Sequence, residues 1–166
     1  MHDKLAAIAD LTRGSKLKRI LSNPIGYWNL LVQTKIKYPI TKKGTAKICI
    51  TFFGTEMKVI LPAGLDLYLT GAKTHDSEIR LAQYLIKNLF EGDNFLDIGG
   101  HFGYFTLLAS KLIGSNGKVI CVEASSEMFK ILSHNTQVHS NIDINHLAAS
   151  DKKELIEFHE FPIYYS

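Results

Sequence analysis

The chain has 166 residues, of which 46% are hydrophobic and 21% are charged, and its formal net charge is +3. This length and composition are typical of a soluble globular protein with one sizeable core. No apolar run is long enough to span a bilayer, and the N-terminus lacks the apolar segment and cleavage site of a signal peptide, so we expect a cytoplasmic protein without a transmembrane segment.

The charge is distributed unevenly along the chain. Residues 1–47 carry ten Lys/Arg and two Asp/Glu, a net +8, whereas residues 48–166 carry nine and fourteen, a net −5. A basic leader of this kind contacts nucleic acid, an anionic membrane or an acidic substrate in some proteins, and is a solvated helix face in others. Because the charges are spread out, we favour the solvated face and do not expect a nucleic-acid partner.

The first half of the chain reads as helices followed by a hairpin. Apolar residues recur at helical spacing over residues 3–21, with a break near Gly14, and a second helix is predicted over 25–38, ending before Pro39. Two apolar runs around a Gly-Thr turn predict a β-hairpin over 46–61. We therefore predict a basic helical leader over 1–45, and a hairpin with a linker over 46–74.

The second half alternates between helices and short apolar strands. An amphipathic helix over 75–90 precedes the strand NFLDI, the helix GYFTLLASKLI, the strand KVICVEA, the helix SSEMFKILSHNTQVH and the strand IDINHLAAS. ELIEFHEF follows as a fourth strand. This order predicts an α/β, Rossmann-like domain over 75–166, with a parallel sheet that binds its ligand at the carboxyl ends of the strands.

The cysteines and histidines suggest no metal centre. Cys49 and Cys121 each lie within an apolar strand, which predicts buried, reduced thiols. His134, His139 and His146 do not have the spacing of a zinc site, so we expect no metal.

A bare glycine turn follows the first strand of the domain. Gly99, Gly100 and Gly103 come directly after the strand that contains Asp97, and a helix then begins. Glycines let the backbone turn tightly and approach a ligand, and the helix N-terminus favours an electronegative group. Glu123 ends the next strand, twenty residues after Gly103, where an acid can accept hydrogen bonds from ribose hydroxyls. The pattern predicts an adenosine-containing ligand.

The identity of that ligand follows from the spacing and from one charge. The dinucleotide pattern G-x-G-x-x-G fails in both registers, because His101 and Tyr104, or Phe102 and Phe105, stand where glycines are required. A carboxylate at Asp97 would repel a pyrophosphate but attract the ammonium and sulfonium of S-adenosylmethionine. We therefore predict S-adenosylmethionine rather than NAD.

The motifs LDIGGHFGYFTLLAS, GKVICVEAS and INHLAASDKKELIEFHEF occur in this order at suitable distances. Over roughly residues 75–161 the chain resembles the FkbM family of class I S-adenosylmethionine-dependent methyltransferases. The resemblance implies O-methylation of a sugar or natural-product hydroxyl, with a small molecule or glycan as acceptor. It also implies a cofactor site made of Glu78, Asp97, Gly99, Gly100, His101, Phe102, Gly103, Glu123, Ala124, Ser125, Ala149 and Ser150.

The catalytic base is less well defined. His75 and His101 are the candidates, although we favour an ordinary surface or capping role for each of them. The aromatic residues Phe102, Tyr104 and Phe105 could face the sulfonium, although we expect at least two of them to pack in the core.

The predicted sheet is shorter than that of the family. A class I methyltransferase sheet has seven strands, whereas this chain supplies only three or four of them, so the domain is expected to be truncated. The first strand would then have an open apolar edge that the hairpin, a second copy of the chain or further residues must cover. The alternative function is therefore a non-catalytic cofactor-binding remnant or assembly module.

Overall fold

The computed structural model describes residues 1–41, 44–152 and 154, which fall into two compact units. The first unit ends at Ile86 and the second begins at Lys87. The elements of the first unit, in chain order, are α1 (His2–Arg13), α2 (Lys16–Ser22), α3 (Pro24–Leu31), a π-helical segment (Val32–Lys37), α4 (Tyr38–Thr41), β1 (Thr45–Ile50), β2 (Glu56–Leu61) and α5 (Leu65–Thr70). Next come α6 (Asp76–Asn88), β3 (Asn94–Ile98), α7 (Tyr104–Ile113), β4 (Lys118–Glu123), α8 (Ser126–Thr136) and β5 (Ile142–His146).

The leader is helical, and its breaks fall at capping residues. The hydroxyl of Ser15 accepts a hydrogen bond from the backbone N–H of Lys18 and caps α2, and the side chain of Asn23 caps α3 through the N–H of Gly26. The expected stop before Pro39 is wrong, because helical structure continues to Thr41. The helical backbone is continuous at this point, because the π-helical segment passes directly into α4 at Tyr38, whose φ of −62° and ψ of −45° are helical. The φ of a proline, fixed at about −65°, fits such a backbone.

The hairpin forms as predicted. β1 and β2 are antiparallel, with Cys49 opposite Met57, and every second residue of β2 is buried. The stretch after it, expected to be a linker, contains the short helix α5, which ends at Gly71 with φ +72°. A Cβ at Gly71 would lie 2.6 Å from the carbonyl oxygen of Ile50, so the helix ends tightly against the hairpin.

The second unit holds the parallel α/β layer. Among the described residues its sheet has the order β3-β4-β5, with Asp97 opposite Cys121 and Cys121 opposite Ile144. The helices cover one face of this sheet, where Ala109 and Ile113 of α7 form a buried cluster with Val119. This is the predicted Rossmann-like fold, in which neighbouring strands carry their carboxyl ends to one edge.

The opposite face of the sheet is apolar and open. Leu96 and Ile98 on β3 are 57% and 61% exposed, and Ile120 on β4 is 41% exposed. In the part of the chain that the structure describes, β3 pairs with β4 alone, in keeping with the expected open edge. The predicted fourth strand, 154–161, lies almost wholly outside the described residues.

No helix within the described ranges combines the length and apolarity needed to cross a membrane.

Candidate functional site

The three glycines of the turn have different tasks. Gly99 and Gly103 have φ angles of +85° and +90°, which favour glycine. A Cβ at Gly100 would lie 2.2 Å from the Sγ of Cys121, and one at Gly103 would lie 2.8 Å from Leu132, so these two glycines permit packing. A Cβ at Gly99 would meet nothing within 4 Å. Unlike the other two glycines, Gly99 therefore has no side chain packed against its Cα, and its backbone is open to the surroundings.

His101 lies in the middle of the turn in a left-handed conformation, with φ 51°. Such a conformation is uncommon for a residue with a side chain. The backbone N–H of His101 donates a hydrogen bond of 2.8 Å to Oε2 of Glu123. The turn is thus held by an acid at the end of the neighbouring strand.

Glu123 joins the two loops that follow β3 and β4. Its second oxygen, Oε1, accepts a 2.8 Å hydrogen bond from the backbone N–H of Ser125, and the residue is only 8% exposed. Each carboxylate oxygen has two lone pairs, so each can accept one further hydrogen bond. The arrangement therefore combines a structural role with remaining capacity to accept hydrogen bonds.

Asp97 lies on the helix-covered side of β3, beside α7. The hydroxyl of Thr106 donates to Oδ2 of Asp97 at 2.5 Å. Burial raises the pKa of Asp97, hydrogen bonds from the hydroxyl and backbone N–H of Thr106 oppose this, and the charge of Glu123 raises the pKa further. Asp97 thus ties the first turn of α7 to the strand, and a cation placed near both acids would relieve their mutual repulsion.

Both cysteines are buried free thiols, as predicted from the sequence. The Sγ of Cys121 lies beneath the glycine turn, 3.2 Å from Oγ1 of Thr106. Burial raises the pKa of Cys121 to about 11, and that of Cys49 to about 11 as well. Thiols of this kind act as packing groups rather than nucleophiles.

The structure adds residues that sequence reasoning did not single out. The side-chain amide of Asn135 in α8 donates a 2.8 Å hydrogen bond to the carbonyl of Phe102, in the middle of the turn. The ring of His146 stacks on Phe129, and its Nε2 lies 3.2 Å from the carbonyl oxygen of Ala124. Only the position of Thr106, in the first turn after the glycines, was a usable sequence signal.

The aromatic residues of the turn are mainly core residues. Phe102 is 1% exposed and Tyr104 is 3% exposed, whereas Phe105 is half-buried. The expectation that at least two of the three pack in the core is confirmed. Any contact of Phe102 with a cofactor would have to come from its backbone.

Ala149 and Ser150 lie beyond the third strand of the sheet rather than at its end. β5 stops at His146, where the N–H of Leu147 turns back to the carbonyl of Asn145. Both predicted residues line a cavity of about 420 Å³ at the carboxyl ends of β4 and β5. The other residues of its lining are Val122, Leu147, Ala148, Lys152 and Glu154.

Two of the predicted site residues belong to the first unit. His75 is exposed, with its Nδ1 2.8 Å from Oγ of Ser77, and Glu78 pairs with Nζ of Lys73 at 3.6 Å. Their part in cofactor binding or catalysis stays a prediction. Within the described residues, no group of three or more His, Cys, Asp or Glu side chains is placed to hold a metal ion.

Comparison with solved structures finds local similarity to several methyltransferases. A protein-L-isoaspartate O-methyltransferase is 26% identical over 41% of this chain and 23% of its own, with a TM-score of 0.38. Fibrillarin from Aeropyrum pernix, with natively bound S-adenosyl-L-methionine, is 26% identical over 42% of this chain and 32% of its own, with a TM-score of 0.38. A SAM-dependent O-methyltransferase from Thermotoga maritima is 22% identical over 69% and 46%, with a TM-score of 0.42.

The chain spans less than half the length of each of these three structures. No curated protein has a sequence that matches it.

One family model matches the chain over residues 61–153, which include the whole glycine turn and Glu123. Its description is protein-L-isoaspartate(D-aspartate) O-methyltransferase (PCMT). The match covers 93 of the 166 residues. The chain therefore belongs to the protein-L-isoaspartate(D-aspartate) O-methyltransferase family, within the class I S-adenosylmethionine-dependent methyltransferases.

Proposed function

We propose that the second unit binds S-adenosylmethionine at the glycine turn and that the chain is part of an O-methyltransferase. The observation that carries this proposal is the contact between Glu123 and the N–H of His101. It brings an acid with remaining acceptor capacity next to open backbone at Gly99, at the carboxyl edge of a parallel sheet. Ligands of open α/β sheets bind at this edge.

The residues present fit the cofactor in three ways. Glu123 would accept the ribose hydroxyls with its remaining lone pairs, and the ligand would lie beside the backbone of Gly99, where a Cβ would meet no atom within 4 Å. Asp97 and Glu123 give the site a negative charge that suits a sulfonium and an ammonium. Ala149 and Ser150 offer a cavity wall at the neighbouring strand end. When bound, S-adenosylmethionine supplies an electrophilic methyl group.

The chain's own contribution to the reaction is mainly alignment of the acceptor oxygen. A hydroxyl acceptor also benefits from a base that takes its proton as the new O–C bond forms. His101 is our proposed base in this unit, because it lies within the turn beside Glu123. His75, in the first unit, is the second candidate.

Both families that this chain resembles, FkbM and protein-L-isoaspartate(D-aspartate) O-methyltransferase, have an oxygen atom as the methyl acceptor. The FkbM-like motifs support a sugar or natural-product hydroxyl, and the description of the matching family names an isoaspartyl or D-aspartyl residue in a protein. We propose a hydroxyl of a small molecule or glycan as the acceptor. Transfer of a labelled methyl group to an isoaspartyl peptide, with none to hydroxyl compounds, would overturn that choice while keeping the O-methyltransferase.

Calorimetry of the full chain with S-adenosylmethionine and S-adenosylhomocysteine tests cofactor binding. Gly99→Ala and Gly92→Ala form a matched pair, because their φ angles are +85° and +87° and neither Cβ would meet an atom within 4 Å. Both variants should lose similar stability, about 1 kcal/mol each for a left-handed Ala. Only Gly99→Ala should lose at least tenfold in affinity. Equal affinities in the two variants, or preferential binding of NAD, would refute the proposal.

A second candidate is a non-catalytic cofactor-binding or assembly module. It is favoured by the engagement of both Glu123 oxygens with backbone N–H groups, which gives the acid a structural task without a ligand. Binding of S-adenosylhomocysteine without methyl transfer to hydroxyl compounds or isoaspartyl peptides would favour this candidate.

A further inference from the structure

The first unit contains a cavity of its own, of about 270 Å³. It lies between the helical leader and α5, and its wall combines an apolar part with hydroxyl groups and two charged side chains. One water molecule takes up roughly 30 Å³ of liquid volume. If each non-hydrogen atom of a ligand takes up the same volume, the cavity would hold a molecule of about nine such atoms. The residues that line it are Thr12, Arg19, Tyr27, Leu30, Leu65, Asp66, Leu69, Thr70 and Thr74.

Arg19 is the unsatisfied group of this cavity. Its Nε is buried and has no hydrogen-bond partner among the described residues. A buried donor without an acceptor costs about 1–3 kcal/mol, and more when the group is charged. A guanidinium is also the side chain best suited to a planar, two-oxygen anion. The wall of the cavity therefore carries a guanidinium whose Nε has no acceptor among the described residues.

Asp66, the other charged group of the wall, is already satisfied within the first unit. Its Oδ1 accepts from the N–H of Leu67 at 2.8 Å, and its Oδ2 accepts from the N–H of Thr74 at 3.3 Å. Nζ of Lys73 lies 3.9 Å from the same Oδ2. Burial raises the pKa of Asp66, while the charge of Lys73 and the hydrogen bonds from the backbone oppose this effect. The carboxylate of Asp66 thus has partners other than Arg19.

We propose that this cavity binds a small organic carboxylate, with its two oxygens at Arg19 and its apolar body against Tyr27, Leu30 and Leu69. The apolar part of the wall distinguishes this ligand from a free inorganic anion, which would leave those side chains unburied. The site lies wholly within residues 12–74, so this inference does not depend on the proposed methyltransferase function.

Titration of the full chain by calorimetry tests the proposal with three probes. Benzoate has nine non-hydrogen atoms and is expected to bind, whereas benzamide, which has the same shape without the charge, should bind at least tenfold more weakly. Inorganic phosphate should also bind at least tenfold more weakly than benzoate. Absence of benzoate binding, equal binding of benzamide, or equal binding of phosphate would each overturn the proposal.

Variants then locate the binding. Arg19→Met should weaken benzoate binding at least tenfold and should keep the fold, since Arg19 is half-buried, its Nε has no partner among the described residues, and methionine keeps an apolar stem of similar shape. Arg13→Met is the matched control, because Arg13 is 65% exposed and pairs with Asp76 at the surface; its benzoate affinity should be unchanged. Leu69→Trp fills the cavity without a change of charge and should abolish binding. Unchanged affinity in Arg19→Met or in Leu69→Trp would refute the site, and S-adenosylhomocysteine affinity, measured in parallel, reports separately on the second unit.

Discussion

The backbone N–H of His101 and Oε2 of Glu123 are joined by a 2.8 Å hydrogen bond that links the loops at the ends of β3 and β4. The two residues are 22 positions apart in the sequence. Because His101 has a left-handed φ of 51°, the bond holds a backbone conformation that the sequence alone disfavours. The glycine turn is therefore shaped by Glu123 before any ligand arrives.

Glu123→Gln should destabilise the second unit. A glutamine amide has one acceptor oxygen, so one of the two backbone N–H groups, of His101 or of Ser125, would face an NH₂ donor. The loss of one buried hydrogen bond and the resulting unsatisfied donor should cost about 1–3 kcal/mol in the free energy of unfolding, measured with urea.

Glu127→Gln serves as the control for this substitution. Glu127 is an exposed residue in the first turn of α8, where a negative charge interacts favourably with the helix dipole. Its replacement should cost about 0.3–1 kcal/mol. If the two variants unfold at the same urea concentration, the bridging role of Glu123 is wrong.

The raised pKa of Asp97 predicts a pH dependence of stability. Its folded-state pKa lies above its unfolded value because of burial, so between the two values the native state binds more protons than the unfolded state. The contribution of Asp97 to stability therefore falls as pH rises from about 4 through the raised pKa. Asp97→Asn removes this dependence while keeping an acceptor for Thr106. Urea titrations across this pH range should show the variant gaining stability relative to the parent as pH rises; a constant difference would contradict the shift.

Thr106→Val should lower the free energy of unfolding although it hardly changes the volume of the side chain. The hydroxyl of Thr106, which is 0% exposed, donates to the carboxylate of Asp97, and valine is nearly isosteric but cannot donate. Loss of a hydrogen bond to a charged group should cost about 1.5–3 kcal/mol. Thr136→Val is the matched control, since the hydroxyl of Thr136, 5% exposed, donates only to the carbonyl of Leu132 in its own helix. Equal losses in the two variants would show that the bond to Asp97 adds nothing.

Much of the second unit could be predicted from the sequence. Alternating strands and helices indicated the parallel sheet, and the glycines with Glu123 marked its ligand edge. The partners of Glu123 could not be predicted, because they are backbone groups from two loops and no side-chain pattern identifies such donors. The requirement for glycine at position 100 could not be predicted from the sequence either. The φ of Gly100 is ordinary, and a side chain is excluded there because the Sγ of Cys121 lies beneath it.

The first unit shows where local signals failed. The segment over 62–74 contains Pro62, Gly64 and Gly71 close together, which reads as a linker, yet α5 fits between them and ends at Gly71. Pro39 is a misleading stop signal for a related reason. The fixed φ of a proline, about −65°, is compatible with helical backbone, and here the π-helical segment Val32–Lys37 passes directly into α4.

The packing of Gly100 against Cys121 predicts a specific pattern of coupling. In Gly100→Ala the new Cβ would lie 2.2 Å from the Sγ of Cys121, and because neither atom belongs to a long flexible side chain, the turn or β4 must shift. We expect a loss of about 1–3 kcal/mol in unfolding free energy from this overpacking. Cys121→Ala alone should also destabilise, because it leaves a small cavity. The double variant should be more stable than the sum of the two losses by at least about 0.5 kcal/mol, since the new methyl group then fills the space left by the sulfur. Strictly additive losses in urea unfolding would mean that the turn does not rest on Cys121.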